Sequence, residues 1–257
     1  MTYVLSDLHG CYEAYRTMLE KIHFGPDDRL YVLGDMVDRG PDGMKLLLDL
    51  MGRPNVTVLR GNHDHTAWLM LRHVGMRVDS SFAEQMGEMC RLWMSDGGDV
   101  TWRGYKKLKR EEKARVLHFL QSLPVYDEIT VGNRRYFLAH TGPDPQKIQQ
   151  LEDCTLMDFL LGEIDYNQPY FPDRYFVSGH TPTGLIDPAY TGRIYRKNGH
   201  IAVDCGAVFG EALGCLCLDT GEEFYVKTGK MGKSSACQKA ACFLDSFRTV
   251  QDRKAFR

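Results

Sequence analysis

No two of the eight cysteines in this 257-residue chain, at 11, 90, 154, 205, 215, 217, 237 and 242, are spaced C-x-x-C. That excludes a zinc ribbon or a dithiol redox motif, and in a chain this long the thiols read as reduced and mostly buried. No apolar run approaches the roughly 18 residues of a membrane-spanning helix, so no membrane partner is expected. Net charge is nearly absent: 32 basic against 34 acidic side chains leave −2, without the basic stripe that nucleic-acid binding needs. An anionic substrate must therefore be gripped by local charge. Disorder is excluded by 43% apolar and 26% charged residues, ordinary globular usage. Tyr3-Val4-Leu5, the first strand candidate, follows directly on Met1-Thr2 and leaves no room for a signal peptide, so a cytoplasmic location is expected.

What is present is a grammar repeated three times over residues 3–72: a short apolar strand, a glycine-bearing polar turn, an amphipathic helix. Tyr3-Val4-Leu5 leads into Ser6-Asp7-Leu8-His9-Gly10 and a helix over 12–22. Arg29-Leu30-Tyr31-Val32-Leu33 leads into Gly34-Asp35-Met36-Val37-Asp38-Arg39-Gly40 and a helix over 41–51, with Pro41 at its first position. Val56-Thr57-Val58-Leu59 leads into Arg60-Gly61-Asn62-His63-Asp64 and a helix reaching about residue 73. Strands and helices alternating at this pace predict a parallel sheet with all three polar turns at one edge. Residues 75–123 read as a helical insertion, with helices over 82–94 and 111–120 around the loop Asp96-Gly97-Gly98-Asp99. The second half is β-rich, antiparallel or mixed: 125–131 and 135–139 flank a Gly132-Asn133 turn, and further strands are predicted over 175–178, 193–196, 200–204, 213–218 and 224–227. One domain over 1–228 is expected, with 229–257 an appended tail, helical over 236–247 or partly mobile.

Collected from the turns, Asp7, His9, Asp35 and Asn62 join His140 and His180, each of which follows an apolar strand, in a mixed oxygen and nitrogen ligand set. Such a set suits Mn, Fe or Zn better than Mg or Ca, and it is large enough for two ions if one carboxylate bridges them. His23, His65, His73, His118 and His200 match no motif and are assigned to surface or core. Asp64 is expected to support its turn, the stripe Met44, Leu47, Leu48 and Met51 to pack in the core, and the charge run 106–113 to face solvent.

The series Asp7-x-His9-Gly10, Gly34-Asp35-x-Val37-Asp38-Arg39-Gly40, Leu59-Arg60-Gly61-Asn62-His63-Asp64 and Gly179-His180-Thr181-Pro182 resembles, in order, the motifs of the calcineurin-like metallophosphoesterases, and within them the bacterial and phage phosphoprotein phosphatases. The similarity extends through Ala202-Val203-Asp204-Cys205-Gly206 and Cys217-Leu218-Asp219-Thr220-Gly221, covering residues 1–228. It implies an α/β fold: a four-layer α/β/β/α sandwich of two mixed sheets, with a dinuclear site at the strand ends. It implies that Asp7, His9 and Asp35 hold one divalent ion, most simply manganese, and that Asp35, Asn62, His140 and His180 hold a second. Such a pair activates water for in-line attack on phosphorus. His63 would protonate the leaving group, Asp38 would orient His63 and favour its protonated form, and Arg39 would grip the phosphate.

The implied reaction is hydrolysis of phosphoserine and phosphothreonine in proteins, or of a small phosphoester. The rival is symmetrical cleavage of diadenosine tetraphosphate, a branch whose members tend to replace the aspartate of Asp-Arg-Gly with a small residue; Asp38 is present here. A non-catalytic scaffold would be expected to have lost a ligand or His63, and none is missing. Two departures stand out. Residues 155–166 lack the second phosphate-clamping arginine of the family's protein phosphatases, and Asp96 stands where an Asn-Gly-Gly loop would begin.

Overall fold

Alternation along the first strands sorts their side chains into two cores. In the computed structural model, which describes residues 1–74 and 80–229, β1 (Thr2–Leu5) sends Tyr3 and Leu5 to one side and Val4 to the other. Helix α1 (Tyr12–Lys21) covers the first side with Tyr12, Tyr15, Met18 and Leu19. β2 (Arg29–Val32) repeats the alternation, Leu30 and Val32 against Tyr31, as a pleated strand buried on both faces must. Helix α2 (Gly43–Met51) follows. It starts two residues later than its sequence predicts: Pro41 lies in the preceding loop, where the Asp42 N–H is bonded to Gly10 O at 3.2 Å. Met44 and Leu47 of the predicted stripe are buried, and Leu48 and Met51 pack against them half-buried. β3 (Val56–Val58) and α3 (Asn62–Leu71) complete the third unit, and β1, β2 and β3 pair in parallel.

The segment read as a two-helix insertion contains three helices among its described residues. α4 (Ser80–Trp93) passes through a wide turn at Met94–Gly98 directly into α5 (Asp99–Lys107), where a loop is predicted, and α6 (Arg110–Ser122) follows. Gly97, at φ +97°, permits the kink. Trp93, Tyr105, Val116 and Leu120 enter the same core as α1 and α2, so these helices extend the outer layer. Residues 106–113 are largely exposed, as their charge suggests. The beginning of the segment, 75–79, and the tail from 230, including the helix predicted over 236–247, lie outside the described residues.

The second half builds a second sheet. β4 (Tyr126–Val131) and β5 (Arg134–Ala139) form the predicted hairpin; the short helix α7 (Leu156–Leu161) leads to β6 (Tyr175–Ser178); β7 (Tyr195–Lys197) and β8 (His200–Ala202) form another hairpin. β9 (Ala212–Cys217) and β10 (Glu223–Lys227) return to the first sheet. The orders are β10-β9-β1-β2-β3 and β4-β5-β6-β8-β7, and both sheets are mixed. Tyr136, Leu138, Val177 and Ile201 meet Val4, Tyr31 and Leu33 between the sheets. Phe137, Phe159, Tyr170 and Phe176 form a smaller aromatic core outside the second sheet, so the fourth layer is thin, one short helix and an aromatic loop. No helix among the described residues is long and apolar enough to cross a membrane, and their six cysteines are free thiols.

Candidate metal centre

Six side chains of the predicted site stand on left-handed backbone: Asp7 (φ 53°), His9 (38°), Asp35 (56°), Asp38 (67°), Arg39 (67°) and His180 (67°). Only His23 and Asn198 share that region among the other described non-glycine residues. Such conformations cost energy and persist where surrounding bonds over-determine them. Here the turns are zipped together: Asp7 N–H donates to Gly34 O at 3.1 Å, His9 N–H to Asp35 O at 2.8 Å, and Gly179 N–H to His140 O at 3.0 Å. Gly34 (φ +89°) allows the second and third turns to close, since a Cβ there would lie 2.6 Å from Gly61 N and 2.9 Å from His140 Nδ1. The Asp64 carboxylate accepts from the backbone N–H of Asp35 (2.8 Å), Met36 (3.0 Å) and Gly61 (3.0 Å), the supporting role expected of it.

The carboxylates and imidazoles converge. Atoms of His9, Asp35 and His63 lie within 4.8 Å of one another, as do atoms of Asp35, His140 and His180. Asp35 is common to both groups. Its Oδ2 is 3.5 Å from His9 Nε2 and 3.6 Å from His140 Nε2. Asp7 joins neither group at that distance: its Oδ2 accepts from the Ser6 hydroxyl and, at 2.9 Å, from His180 N–H. Burial and the neighbouring Asp204 raise the Asp7 carboxyl well above the usual range; burial, Asp7 and Asp64 do the same to Asp35.

Whether these residues suit a cation is decided by their lone pairs. His9 donates Nδ1–H to Val37 O at 2.8 Å and His140 donates Nδ1–H to Leu33 O at 2.7 Å, so each presents Nε2 as an unprotonated acceptor. His140 Nε2 then faces another acceptor, Asn62 Oδ1, at 2.9 Å, with His180 Nδ1 3.1 Å away. Protonating the rings would relieve the conflict, but burial pushes His140 down to about 3 and His9 and His180 well below the ordinary histidine range. His140 Nε2, Asn62 Oδ1 and an Asp35 carboxylate oxygen thus bring lone pairs together in a dry site, and the residues fit a cation. At His9 a cation is already in place: Arg39 Nη1 donates to Nε2 at 2.8 Å.

Beside the ligand cluster, His63 Nδ1–H donates to Asp38 Oδ2 at 2.8 Å. Asp38 is fully buried and also accepts from Trp93 Nε1 (2.9 Å) and Thr101 Oγ1 (2.6 Å). Burial pushes its carboxyl up to about 7 against the pull of those donors. Burial, then Arg39, pushes His63 down to about 3. The pairing expected between Asp38 and His63 is present, but the protonated ring expected with it is opposed by the dry surroundings. The hydrogen bond fixes the ring with Nδ1–H toward Asp38 and Nε2 away from it, 3.5 Å from Asp96 Oδ2.

A family model described as calcineurin-like phosphoesterase matches residues 2–206. The chain belongs to that family. A serine/threonine-protein phosphatase 1 from Salmonella typhimurium is 28% identical over 216 residues, 82% of this chain and 88% of the relative. An asymmetrical bis(5'-nucleosyl)-tetraphosphatase from Geobacillus thermodenitrificans is 25% identical over 83% of this chain and 88% of its own. A symmetrical bis(5'-nucleosyl)-tetraphosphatase from Buchnera aphidicola is 42% identical, but over 78 residues only, 30% of this chain and 28% of that one. Among solved structures, a candidate diadenosine tetraphosphatase shares the fold at a TM-score of 0.62 and 18% identity, over 88% of this chain and 93% of that one. The protein is a hydrolase of the metallophosphoesterase type, and its family uses divalent metal ions.

Three contributors to this phosphoesterase's site carry no sequence signal. Trp93 and Thr101 reach Asp38 from 55 and 63 residues away, and Ser6 caps Asp7. Thr101 both donates to Asp38 Oδ1 and accepts from Asp38 N at 2.9 Å. Thr101→Val keeps the shape and leaves both buried groups unpaired, so it is expected to destabilise the fold by about 1–3 kcal/mol. Denaturant unfolding checks this, and an unchanged midpoint would refute the role. Asp96, singled out only as a departure from an Asn-Gly-Gly loop, lies beside Arg39 and His63. His65 and His200 are buried outside the ligand cluster, as assigned.

Proposed function

We propose that the chain is a metal-dependent phosphomonoesterase acting on phosphoserine and phosphothreonine. The single observation that carries this reading is the buried Asp38–His63 pair at 2.8 Å, set next to Arg39 and to two acceptor clusters sharing Asp35. Asp7, His9 and Asp35 would hold one ion, and Asp35, Asn62, His140 and His180 the other. Manganese is the first choice for this donor set, with iron or zinc as alternatives. Bound there, such a pair neutralises phosphate oxygens and lowers the pKa of a water that attacks phosphorus in line.

The protein's own groups do the rest. Arg39 offers a planar guanidinium to two phosphate oxygens, a geometry lysine lacks. Asp38 holds the Nδ1 proton of His63, so that only Nε2 is free to exchange a proton with substrate. A phosphate dianion arriving beside Nε2 raises the ring's proton affinity against the burial that lowers it, so the ring takes up one proton from solvent as substrate binds. His63 then gives the Nε2 proton to the leaving alkoxide and the ring returns to its neutral form.

Hydrolysis of dinucleotide polyphosphates is the second reading. It is favoured by the relative named as an asymmetrical tetraphosphatase, which matches as much of the chain as the phosphatase does. A phosphopeptide and diadenosine tetraphosphate offered side by side with Mn²⁺ separate the two. The phosphopeptide is expected to be turned over faster, and faster cleavage of the dinucleotide sinks the leading reading.

A further inference from the structure

Asp96 is a buried carboxylate for which the reaction above has no use. Its residue is 3% exposed. Oδ1 and Oδ2 lie 3.3 and 3.4 Å from Arg39 Nη2, and Oδ2 lies 3.5 Å from His63 Nε2. The guanidinium assigned to phosphate and the nitrogen assigned to the leaving oxygen thus face one and the same internal anion.

The backbone holds it there. Arg39 N–H donates to Gly97 O at 3.1 Å, and Gly97, next to Asp96, stands at φ +97° with so little room that a Cβ would come 2.5 Å from Arg39 N. The two side chains are therefore presented to each other by a locked contact between the second polar turn and the α4–α5 turn. A carboxylate and a phosphate satisfy a guanidinium through the same pair of oxygens. With Nη1 on His9, Nη2 on Asp96 and only Nε without a partner, a phosphate gripping the Nη1–Nη2 edge competes with Asp96 for Arg39.

We propose that Asp96 is an internal stand-in for substrate phosphate: it occupies Arg39 and stands against His63 Nε2 until a phosphoester displaces it. It is thereby a specificity-determining residue that weakens the grip on any bare phosphate. The proposal rests on the assignment of Arg39 and His63 to substrate made above. An enzyme arranged this way releases inorganic phosphate readily. It favours phosphoesters whose remaining groups add contacts of their own.

The test is a calorimetric titration of the Mn²⁺-loaded full chain with inorganic phosphate. Asp96→Asn, close in shape and without the charge, is expected to bind phosphate about tenfold more tightly, the scale of one hydrogen bond to a charged group. KM for p-nitrophenyl phosphate should fall in step while kcat changes little. In an Arg39→Ala background the same substitution should leave phosphate affinity unchanged, because no guanidinium remains to be freed. Asp96→Ser serves as the second variant should the asparagine form fold poorly, with melting followed for each. Unchanged or weaker phosphate binding by the folded variants overturns the proposal. So does a gain that persists without Arg39, which would place the effect in the general field of the site. Failure of wild type to hydrolyse any phosphomonoester would instead strike the functional reading, and the phosphate titration is read independently of turnover.

Discussion

Asp35→Asn is expected to lower phosphoesterase activity by about a thousandfold or more, together with metal occupancy. Oδ2 of Asp35 is the atom that faces both His9 and His140, so removing its charge weakens both proposed ion positions. Stability should move the other way. Burial and two neighbouring carboxyls raise the Asp35 pKa, so near neutral pH, above that group's unfolded pKa, its charge destabilises the metal-free fold. Asparagine removes that cost, and its Oδ1 can still accept the 3.0 Å bond from His63 N–H. Metal-free Asp35→Asn should therefore melt no earlier than metal-free wild type, while the rise in melting temperature that Mn²⁺ gives wild type should be lost. Melting curves with and without Mn²⁺ check both halves. A variant that Mn²⁺ still stabilises as strongly as wild type would remove Asp35 from its bridging place.

His63→Asn should separate substrates by leaving group. Alkoxides need a proton as the P–O bond breaks, and general acid catalysis contributes about 10²–10⁴-fold, so phosphoserine peptides should slow by that order. p-Nitrophenolate hardly needs the proton, so p-nitrophenyl phosphate should be nearly spared. The ions are assigned to Asp7, His9, Asp35, Asn62, His140 and His180 and not to His63, so metal content should persist. Equal losses on the two substrates would contradict the general-acid role.

How far the sequence was legible follows from how local each signal is. Asp7, His9, Asp35, Asn62 and His63 could be placed because each stands within a few residues of a buried apolar strand, so topology alone carries them to one edge. His140 and His180 follow β5 and β6 for the same reason. α5 was hidden because Val100, Thr101 and Gly104 lower its helical tendency; packing overrides this, with Tyr105 in the core and Gly104 set close to Met44. The parallel pairing of β5 with β6 was also not readable. The chain between them is mostly irregular, with one six-residue helix and no strand-helix-strand pattern. Trp93 and Thr101 were invisible as partners of Asp38, since the folded outer layer alone brings them to it. The pairing of His63 with Asp38 was legible, but not how strongly burial opposes a charge on the ring, because pairing shows the partner and not how thoroughly water is excluded.

A two-ion centre sharing Asp35 is tested by titrating metal-free protein with Mn²⁺ and following bound metal and phosphoesterase activity together. Two ions per chain are expected, with activity rising as the second site fills. One ion at full activity, or activity unchanged after exhaustive chelation, would contradict it.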